Sequence, residues 1–290
     1  MGWRVIVVNA HSKLSYKNQA LIFRHENGME KIHISEIGTL MLETTDIMIS
    51  SGLIASLIEN KVKIIFCDKK RIPAGEITPY YGSHDTSKRV AAQIAWSEHV
   101  KPRVWTFVIK QKIRNQGLML AKAGFEEKSR KLLGFANEVT LFDETNREGH
   151  AARMYFYTLF GTGFSRDADN DINAALNYGY TLLLSIVTRE IVKNGCITQL
   201  GLKHTNQFNQ FNLASDLMEP FRPLVDELVY NYRKLDFKLL KYRLFELFER
   251  QVSFSNQTMY LENAIERYIK KTIQALDADE EERTPEFVFE

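Results

Sequence analysis

The hydrophobic pattern of this chain changes period once, close to residue 75, and that change strongly constrains the fold. Before it, apolar residues alternate in short β-branched runs such as WRVIVVN at 3–9 and TLMLET at 39–44. After it, apolar residues recur with the helical period of about 3.6 residues. The chain is therefore predicted to be an α+β protein, with a small β-rich N-terminal domain followed by a larger all-α C-terminal domain.

The β-rich part is predicted to contain a hairpin and one helix. Asn27-Gly28 separates two alternating segments, and both residues accept the positive φ of a tight turn. SSGLIASLIENK at 50–61 has apolar residues at helical spacing after a serine. VKIIFCD at 62–68 then returns to a strand.

A stretch rich in proline and glycine, residues 73–87, marks the domain boundary. It predicts a β-rich domain at 1–75, a linker at 76–87 and a helical domain at 88–290. Within the helical domain, helices are predicted at 87–100, 104–124, 149–161 and 171–195, and in FRPLVDELVYNYRK, KYRLFELFERQV and MYLENAIERYIKKTIQAL.

The end of the sequence is acidic. Residues 277–290 hold seven acids and one arginine, so they are predicted to form an exposed acidic C-terminal tail. The run Phe287-Val288-Phe289 leaves open the alternative that this tail docks on the domain.

Basic residues are concentrated in one segment. The net charge of the 290-residue chain is +2, which does not by itself indicate a nucleic-acid partner. Residues 101–131, however, carry nine lysines or arginines and only two acids. This segment is either a solvated helical face or a track for a DNA backbone, whose binding would depend strongly on salt.

The apolar segments are too short to cross a membrane. The longest strongly apolar run is TLLLSIV at 181–187, whereas a membrane helix needs about 20 residues. Cys67 and Cys196 are isolated and show neither zinc-site spacing nor a disulfide framework. Both are predicted to be reduced core thiols, and a cytoplasmic protein is expected.

Three separated segments hold candidate metal ligands. Asp216 and Glu219 are three residues apart, so on a helix they would share one face and repel each other unless a metal or a base neutralised them. Pro220 opposes such a helix, because the residue before a proline is biased away from α geometry. His204 precedes this pair, and Glu148 falls in the first turn of a predicted helix. As alternatives, the acids favour a helix N-terminus and the histidine is an ordinary polar residue.

These residue types suit a hard divalent cation. Mg²⁺ and Mn²⁺ prefer carboxylate and water oxygens with an occasional imidazole, whereas zinc sites are richer in histidine or cysteine. Such a site, with open positions, activates a hydroxyl and stabilises charge at phosphorus. The amide-rich run TNQFNQFN at 205–212 is predicted to hold His204 on an ordered loop, with Phe208 and Phe211 packed inward.

Other polar residues are candidate DNA contacts. NAHSKLSYKN at 9–18 is predicted to be a hairpin turn. Either a ring at its tip wedges against an unstacked base of DNA, or the turn is only an exposed polar one. Arg153 either pairs with a carboxylate or holds a phosphate. The candidate DNA-binding residues are His11, Lys101, Arg103, Lys110, Lys112, Arg114, Arg153, Lys203 and Arg222.

Four motifs together give a specific resemblance. REGHAARMYF, DINAALNYGYTLLL, LKHTNQFN and SDLMEPFRPLVD occur in an order that resembles the CRISPR-associated endonuclease and integrase family Cas1. The resemblance covers essentially the whole chain and is closest to the form found beside type II effector systems. It implies that Glu148, His204 and Glu219 bind Mg²⁺ or Mn²⁺, and that Asp216 either binds the metal or supports a ligand. Glu219 stands where many relatives have aspartate.

The same resemblance implies partners and a reaction. The family acts as a homodimer, and two homodimers flank a dimer of the small protein Cas2 in a heterohexamer that holds a short double-stranded prespacer DNA. Each prespacer 3′-hydroxyl attacks a phosphodiester of the CRISPR repeat, and water in its place gives nuclease activity. A metal-dependent DNA integrase is the leading hypothesis. The alternatives are a non-catalytic DNA-binding scaffold and, less favoured, a small-molecule metallohydrolase.

Overall fold

The computed structural model describes residues 4–26, 28–69, 71, 73–77 and 83–290. By their internal contacts, the residues divide into an N-terminal unit, 1–80, and a C-terminal unit, 81–290. The boundary follows residue 80 and lies within the predicted linker at 76–87. Residues 78–82 of the predicted linker lie outside the described ranges.

The N-terminal unit contains two four-stranded sheets and one helix. The first sheet has the order β1 (Arg4–Val8), β5 (Ile37–Leu42), β7 (Lys63–Cys67), β8 (Pro73–Ile77), with only β8 antiparallel to its neighbour. The second has the order β4 (Gly28–His33), β3 (Ala20–His25), β2 (Ser12–Lys17), β6 (Ile47–Ile49). Residues of both sheets and of helix α1 (Ser51–Glu59) form one hydrophobic core cluster, which includes Leu14, Leu40 and Leu53.

The sequence predicts this unit with two errors. The hairpin between β3 and β4 is confirmed, although Asn27 itself lies outside the described residues. The turn predicted at 9–18 is wrong, because residues 12–17 pair as a strand and the chain turns at Asn18 and Gln19, which have φ of 50° and 57°. Residues 73–77, predicted as turn-rich, pair with β7 as an edge strand, where a proline without an N–H is tolerated.

The C-terminal unit is mostly helical. Its two longest helices, α3 and α6, have 23 residues each, and α3 packs against α4 and α5 while α6 packs against α8 and α11. The helices of this unit are α2 (Thr86–Ile94), α3 (Val100–Lys122), α4 (Glu126–Glu138), α5 (Arg147–Phe160), α6 (Asp171–Lys193), α7 (Asn212–Leu217), α8 (Arg222–Tyr232), α9 (Phe237–Arg243), α10 (Glu246–Glu249) and α11 (Leu261–Ala278).

The prediction of an all-α domain is wrong at one place. Strands β9 (Gln251–Phe254) and β10 (Gln257–Tyr260) form an antiparallel hairpin between α10 and α11. Ser255 and Asn256 both have positive φ, 52° and 59°, which is the geometry of a tight hairpin turn. The helical pattern predicted on either side is therefore interrupted by this turn.

The prediction of an exposed acidic tail is also wrong. The alternative, in which the run Phe287-Val288-Phe289 docks on the domain, is correct. Helix α11 continues to Ala278, so the acidic stretch begins inside a helix. Phe287 and Phe289 are only 1% and 3% exposed, whereas Val288 between them and Glu286 before them are exposed. Alternation of this kind is typical of an extended segment with one buried face.

Candidate active site

Glu148 is held at the start of α5 by a well-capped helix N-terminus. The Asp143 carboxylate accepts hydrogen bonds from the backbone N–H of Arg147 at 2.8 Å and of Glu148 at 3.0 Å. The Asn146 side chain accepts another from Gly149 N–H at 3.3 Å. Because these groups satisfy the first turn, the Glu148 side chain is not needed as a cap and is free to point elsewhere.

His204 lies on the loop between α6 and α7, and Asp216 organises that loop. The Asp216 carboxylate is fully buried and accepts hydrogen bonds from the backbone N–H of Leu202, Lys203 and His204 at 2.5, 3.1 and 3.2 Å. It also accepts one from Nδ1 of the His204 ring at 2.5 Å. Since an ionised carboxylate can only accept, Nδ1 carries a proton, and in the neutral ring the lone pair is therefore on Nε2.

The space around Asp216 leaves no room for a side chain at Gly201. A Cβ atom there would lie 2.7 Å from Asp216 Oδ2 and closer still to the His204 carbonyl oxygen. Both neighbours belong to the hydrogen-bonded loop, so neither can move aside without breaking it. Glycine at this position is therefore a steric requirement of the loop.

The surroundings of His204 shift its pKa. The hydrogen bond to Asp216 raises the pKa of His204 above its ordinary value, against the opposing effect of burial. The charges of Glu219 and Glu148 raise that pKa further. The ring also meets Trp105 edge to face, with centroids 5.8 Å apart.

Asp216 and Glu219 do not share a helix. Helix α7 ends at Leu217, and Glu219 begins a short 3₁₀ turn, Glu219–Phe221, that leads into α8. This break agrees with the bias that Pro220 imposes on the residue before it. The two carboxylates consequently face different partners, and of the two alternatives left open, the one in which Pro220 opposes a shared helix is correct.

Glu148 and Glu219 converge on a single ammonium group. Lys112 extends from α3 so that its Nζ lies 2.6 Å from Glu148 Oε1 and 2.6 Å from Glu219 Oε2. The other oxygen of Glu219 lies 2.9 Å from Nε of Arg222. The sequence singled out Lys112 and Arg222 only as phosphate contacts, since no local pattern shows that a lysine will be buried between two remote carboxylates.

Charge compensation keeps these groups ionised in a buried position. Burial acts to raise the pKa of Glu219, but the charges of Arg222 and Lys112 outweigh it and lower that pKa below its ordinary value. Burial acts to lower the pKa of Lys112, but Glu219 and Glu148 outweigh it and raise that pKa. The four groups thus form an ion cluster around the buried Lys112 and Glu219 side chains.

Arg222 is supported by a second buried carboxylate that the sequence did not single out. Its guanidinium lies over the Tyr180 ring, 4.5 Å from the centroid, and the Tyr180 hydroxyl donates to Asp226. Burial raises the pKa of Asp226 to about 6, although Tyr180 and Tyr155 oppose the shift. The one sequence signal for it is an acid placed among apolar residues in PLVDELV.

The donor chemistry fits a divalent cation, but the present arrangement is not a closed metal site. Within residues 4–26, 28–69, 71, 73–77 and 83–290, no three His, Cys, Asp or Glu side chains form a group ready to hold a metal ion. Two carboxylates nevertheless already converge on one cationic atom, and His204 is near enough for the charges of both to raise its pKa. Oxygen-rich sets with one imidazole suit Mg²⁺ or Mn²⁺.

The amide-rich loop behaves as predicted except for one phenylalanine. Asn206 accepts from Phe208 N–H and Asn209 from Phe211 N–H, both at 2.9 Å. The Asn212 amide donates to the Asn206 carbonyl at 3.1 Å, so amides do order the loop. Phe208, however, is 85% exposed, so the prediction that it packs inward is wrong.

Much of the charge of the basic segment is compensated within the C-terminal unit. Lys112 is buried in the ion cluster, and Lys110 is half-buried. Two of the acids that pair with the basic side chains come from the C-terminal acidic stretch. The ion pairs join Arg103 to Glu281, Arg114 to Glu286 and Lys101 to Glu98 at 3.2, 3.0 and 2.5 Å.

The remaining candidate DNA contacts are spread over both units. His11 lies before β2 and pairs with Asp46 at 2.9 Å. Arg153 is exposed and lies over the Tyr157 ring, 5.4 Å from its centroid. Lys203 is exposed and lies 3.7 Å from the centroid of the Phe142 ring. Contact of any of these residues with DNA stays a prediction.

Cys67 and Cys196 are both buried, as predicted for core thiols. Among the described residues, no helix combines the length and the apolar character that a membrane span requires.

Comparison with known proteins gives concordant results. The family described as CRISPR-associated protein Cas1 matches residues 5–257. The CRISPR-associated endonuclease Cas1 of Neisseria meningitidis serogroup C (strain 8013) is 32% identical over 275 residues, which cover 93% of this chain and 90% of that protein.

Two solved structures share the fold at low sequence identity. A casposase bound to its integration product is 18% identical, with a TM-score of 0.80, and the match covers 98% of this chain and 94% of that one. A chain of a Cas6-RT-Cas1–Cas2 complex is also 18% identical, with a TM-score of 0.76. That match covers 98% of this chain but only 36% of the longer one.

Proposed function

Because the chain belongs to the family of CRISPR-associated protein Cas1, we propose that it is a metal-dependent DNA integrase and endonuclease of CRISPR spacer acquisition. The observation that carries the proposal is the convergence of Glu148 and Glu219 on one cationic atom. The His204 ring is oriented by Asp216, and the charges of both glutamates act on it. The endonuclease from Neisseria meningitidis and the casposase solved on its integration product support an activity on DNA.

Glu148, His204 and Glu219 would hold Mg²⁺ or Mn²⁺. Bound there, the cation would lower the pKa of an attacking hydroxyl and neutralise charge on the scissile phosphate. Asp216 keeps a proton of His204 on Nδ1, so Nε2 is the ring atom that would bind the cation. Arg222 occupies one oxygen of Glu219, which leaves the other for coordination.

Lys112 would keep the two glutamates together when no divalent cation is bound. Two carboxylates that converge on one atom repel each other, and the ammonium neutralises both. A divalent cation held by Glu148 and Glu219 would neutralise the two carboxylates in place of the Lys112 ammonium.

The DNA would supply the nucleophile. A prespacer 3′-hydroxyl attacks a phosphodiester of the CRISPR repeat in strand transfer, and water attacks in the nuclease reaction. Double-stranded DNA, a second copy of this chain and a Cas2 dimer are the proposed partners, in a cytoplasmic heterohexamer. The solved Cas6-RT-Cas1–Cas2 complex supports a Cas2 partner.

Glu219→Ala tests the assignment. The variant should lose strand transfer of a labelled duplex by at least about 100-fold in Mg²⁺ and in Mn²⁺, because a loss of a few kcal/mol of transition-state stabilisation has that size. Duplex binding should stay near the wild-type level. Glu126→Ala, which removes an exposed acid at the start of α4, is the matched control. Normal integration by Glu219→Ala would overturn the proposal.

The non-catalytic DNA-binding scaffold is the second candidate. It is favoured by the ammonium that already neutralises both glutamates, which gives them a purely structural role. Calorimetric titration with Mn²⁺ separates the two functions. An enzyme should bind Mn²⁺ and His204→Ala should bind it more weakly, whereas a scaffold should show no binding in either protein.

A further inference from the structure

The C-terminal strap, residues 284–290, lies along the buried face of α3. After α11 ends, Asp279 adopts a left-handed conformation with φ of 59°, and the 3₁₀ turn Glu281–Arg283 follows. The strap is extended beyond that turn, with Phe287 and Phe289 buried. It reaches the middle of α3 at Gln111 and Asn115, two residues that flank Lys112 in the sequence of that helix.

Two amide side chains of α3 bind the strap backbone as a neighbouring strand would. Gln111 accepts from Phe287 N–H at 2.8 Å and donates to the Pro285 carbonyl at 3.1 Å. Asn115, one helical turn later, accepts from Phe289 N–H and donates to the Phe287 carbonyl, both at 3.0 Å. Both amides are buried, so these hydrogen bonds are shielded from water and expensive to leave unmade.

The same Asn115 amide also holds the backbone directly after Glu219. Its Nδ2 donates to the Pro220 carbonyl at 2.8 Å, in addition to its bond to the strap. The Phe287 ring packs against Phe221, with centroids 4.4 Å apart. Phe221 meets Tyr268 of α11 edge to face at 5.1 Å. The turn that carries Glu219 is thus enclosed by the strap, α3 and α11.

We infer that the C-terminal strap is a positioning element that fixes the orientation of Glu219. The side chain of Glu219 reaches Lys112, while the strap packs on Phe221 and bonds to the same Asn115 amide that holds the Pro220 carbonyl. Removal of the Phe287 ring leaves a cavity against Phe221 and loosens the docking of the strap backbone on Asn115, so the turn gains alternative orientations. The effect on metal affinity rests on the proposed function, whereas the effect on the turn does not.

Hydrogen exchange measures the turn without any metal. In Phe287→Ala, amide exchange in a peptide covering residues 216–224 should accelerate by at least about tenfold, because local opening becomes easier. Val288→Ala is the matched control, since Val288 is the exposed neighbour in the same strap. A peptide from α6 should keep its wild-type rate in both variants. Unchanged exchange at 216–224, or equal acceleration throughout the unit, would overturn the inference.

Metal affinity gives the second readout. Calorimetric titration should show about tenfold weaker Mn²⁺ binding by Phe287→Ala, wild-type binding by Val288→Ala, and recovery to within about threefold by Phe287→Leu, which refills most of the volume. Unchanged Mn²⁺ affinity in Phe287→Ala would overturn the link to the metal site. If the wild-type protein binds no Mn²⁺, the proposed function fails instead, and hydrogen exchange alone decides the role of the strap.

Discussion

Asp216 and Glu219 are three residues apart, yet different forces hold them in place. Asp216 accepts three backbone N–H groups and the His204 ring, so the imidazole half of the site is fixed by hydrogen bonds. Glu219 faces Glu148 across the Lys112 ammonium, so the carboxylate half is fixed by charge. A hydrogen-bonded loop keeps its geometry whatever occupies the site, whereas a carboxylate pair responds to its cation. The imidazole is therefore preorganised, and the carboxylates are arranged for cation exchange.

The largest effect is expected from breaking the hydrogen-bonded half. Asp216→Ala leaves three backbone N–H groups and the His204 ring without an acceptor, so the free energy of unfolding should fall by about 4 kcal/mol. Urea denaturation measures that loss, and Mn²⁺ titration should show no binding. Asp216→Asn, which keeps the shape and one acceptor, should lose about half as much. A loss below about 1 kcal/mol in Asp216→Ala would mean that the loop does not depend on this carboxylate.

The free energy of unfolding should depend on pH through Asp226. The pKa of Asp226 is about 6 in the folded protein and ordinary in the unfolded chain. Between these values the folded state keeps a proton that the unfolded state has lost, so the contribution to stability falls as pH rises toward 6 and is constant above it. The total change is about 3 kcal/mol.

Urea denaturation between pH 4 and 8 should show this fall in the wild type relative to Asp226→Asn, which cannot ionise. Tyr180, Tyr155, Arg222 and Arg166 are the polar groups that favour the charged form of Asp226. Parallel pH profiles of wild type and Asp226→Asn would exclude Asp226 as the titrating group.

Replacing Lys112 should lower the stability of the metal-free protein and strengthen its metal binding. Lys112→Met leaves Glu148 and Glu219 facing each other, so the free energy of unfolding without metal should fall by about 2 kcal/mol. Mn²⁺ should then bind about tenfold more tightly, since no ammonium competes, and should restore the lost stability. Thermal unfolding with and without Mn²⁺ checks both effects. Lys110→Met, on the same helix, should change neither, and unchanged Mn²⁺ affinity in Lys112→Met would refute the exchange.

The smallest effect is expected where charges are paired at the surface. Glu286→Gln frees Arg114 from an exposed ion pair, so duplex affinity should rise by less than about threefold, with a salt slope steeper by about one unit. Binding measured across a salt series tests this change. Glu282→Gln, an exposed acid of the same stretch, is the control. Identical salt slopes for the two variants would exclude Arg114 as a DNA contact.

The sequence was most informative where a pattern is local. The period change near residue 75 predicted the order of β-rich and helical parts, and long amphipathic stripes predicted α3 and α6. The resemblance to the Cas1 family is confirmed, and it selected Glu148, His204 and Glu219 before any geometry was known. Their role as metal ligands stays a prediction.

The sequence was least informative where distant residues decide the outcome. The burial of Lys112 depends on carboxylates 36 and 107 positions away. The strap is acidic in composition, yet it docks because Gln111 and Asn115 supply hydrogen bonds that no pattern near residue 287 reveals. The hairpin at 251–260 was missed because its turn, Ser255-Asn256, lies between helix-like segments.

The crowding around Gly201 has a consequence for any search that ranks residues by chemical capability. Such a search selects histidines, acids and lysines, and it passes over a residue that has no functional group. Yet alanine at Gly201 would push on the His204 carbonyl and the Asp216 carboxylate together. The addition of one methyl group at this position should therefore disable the site as thoroughly as the loss of a ligand, while every reactive side chain is still present.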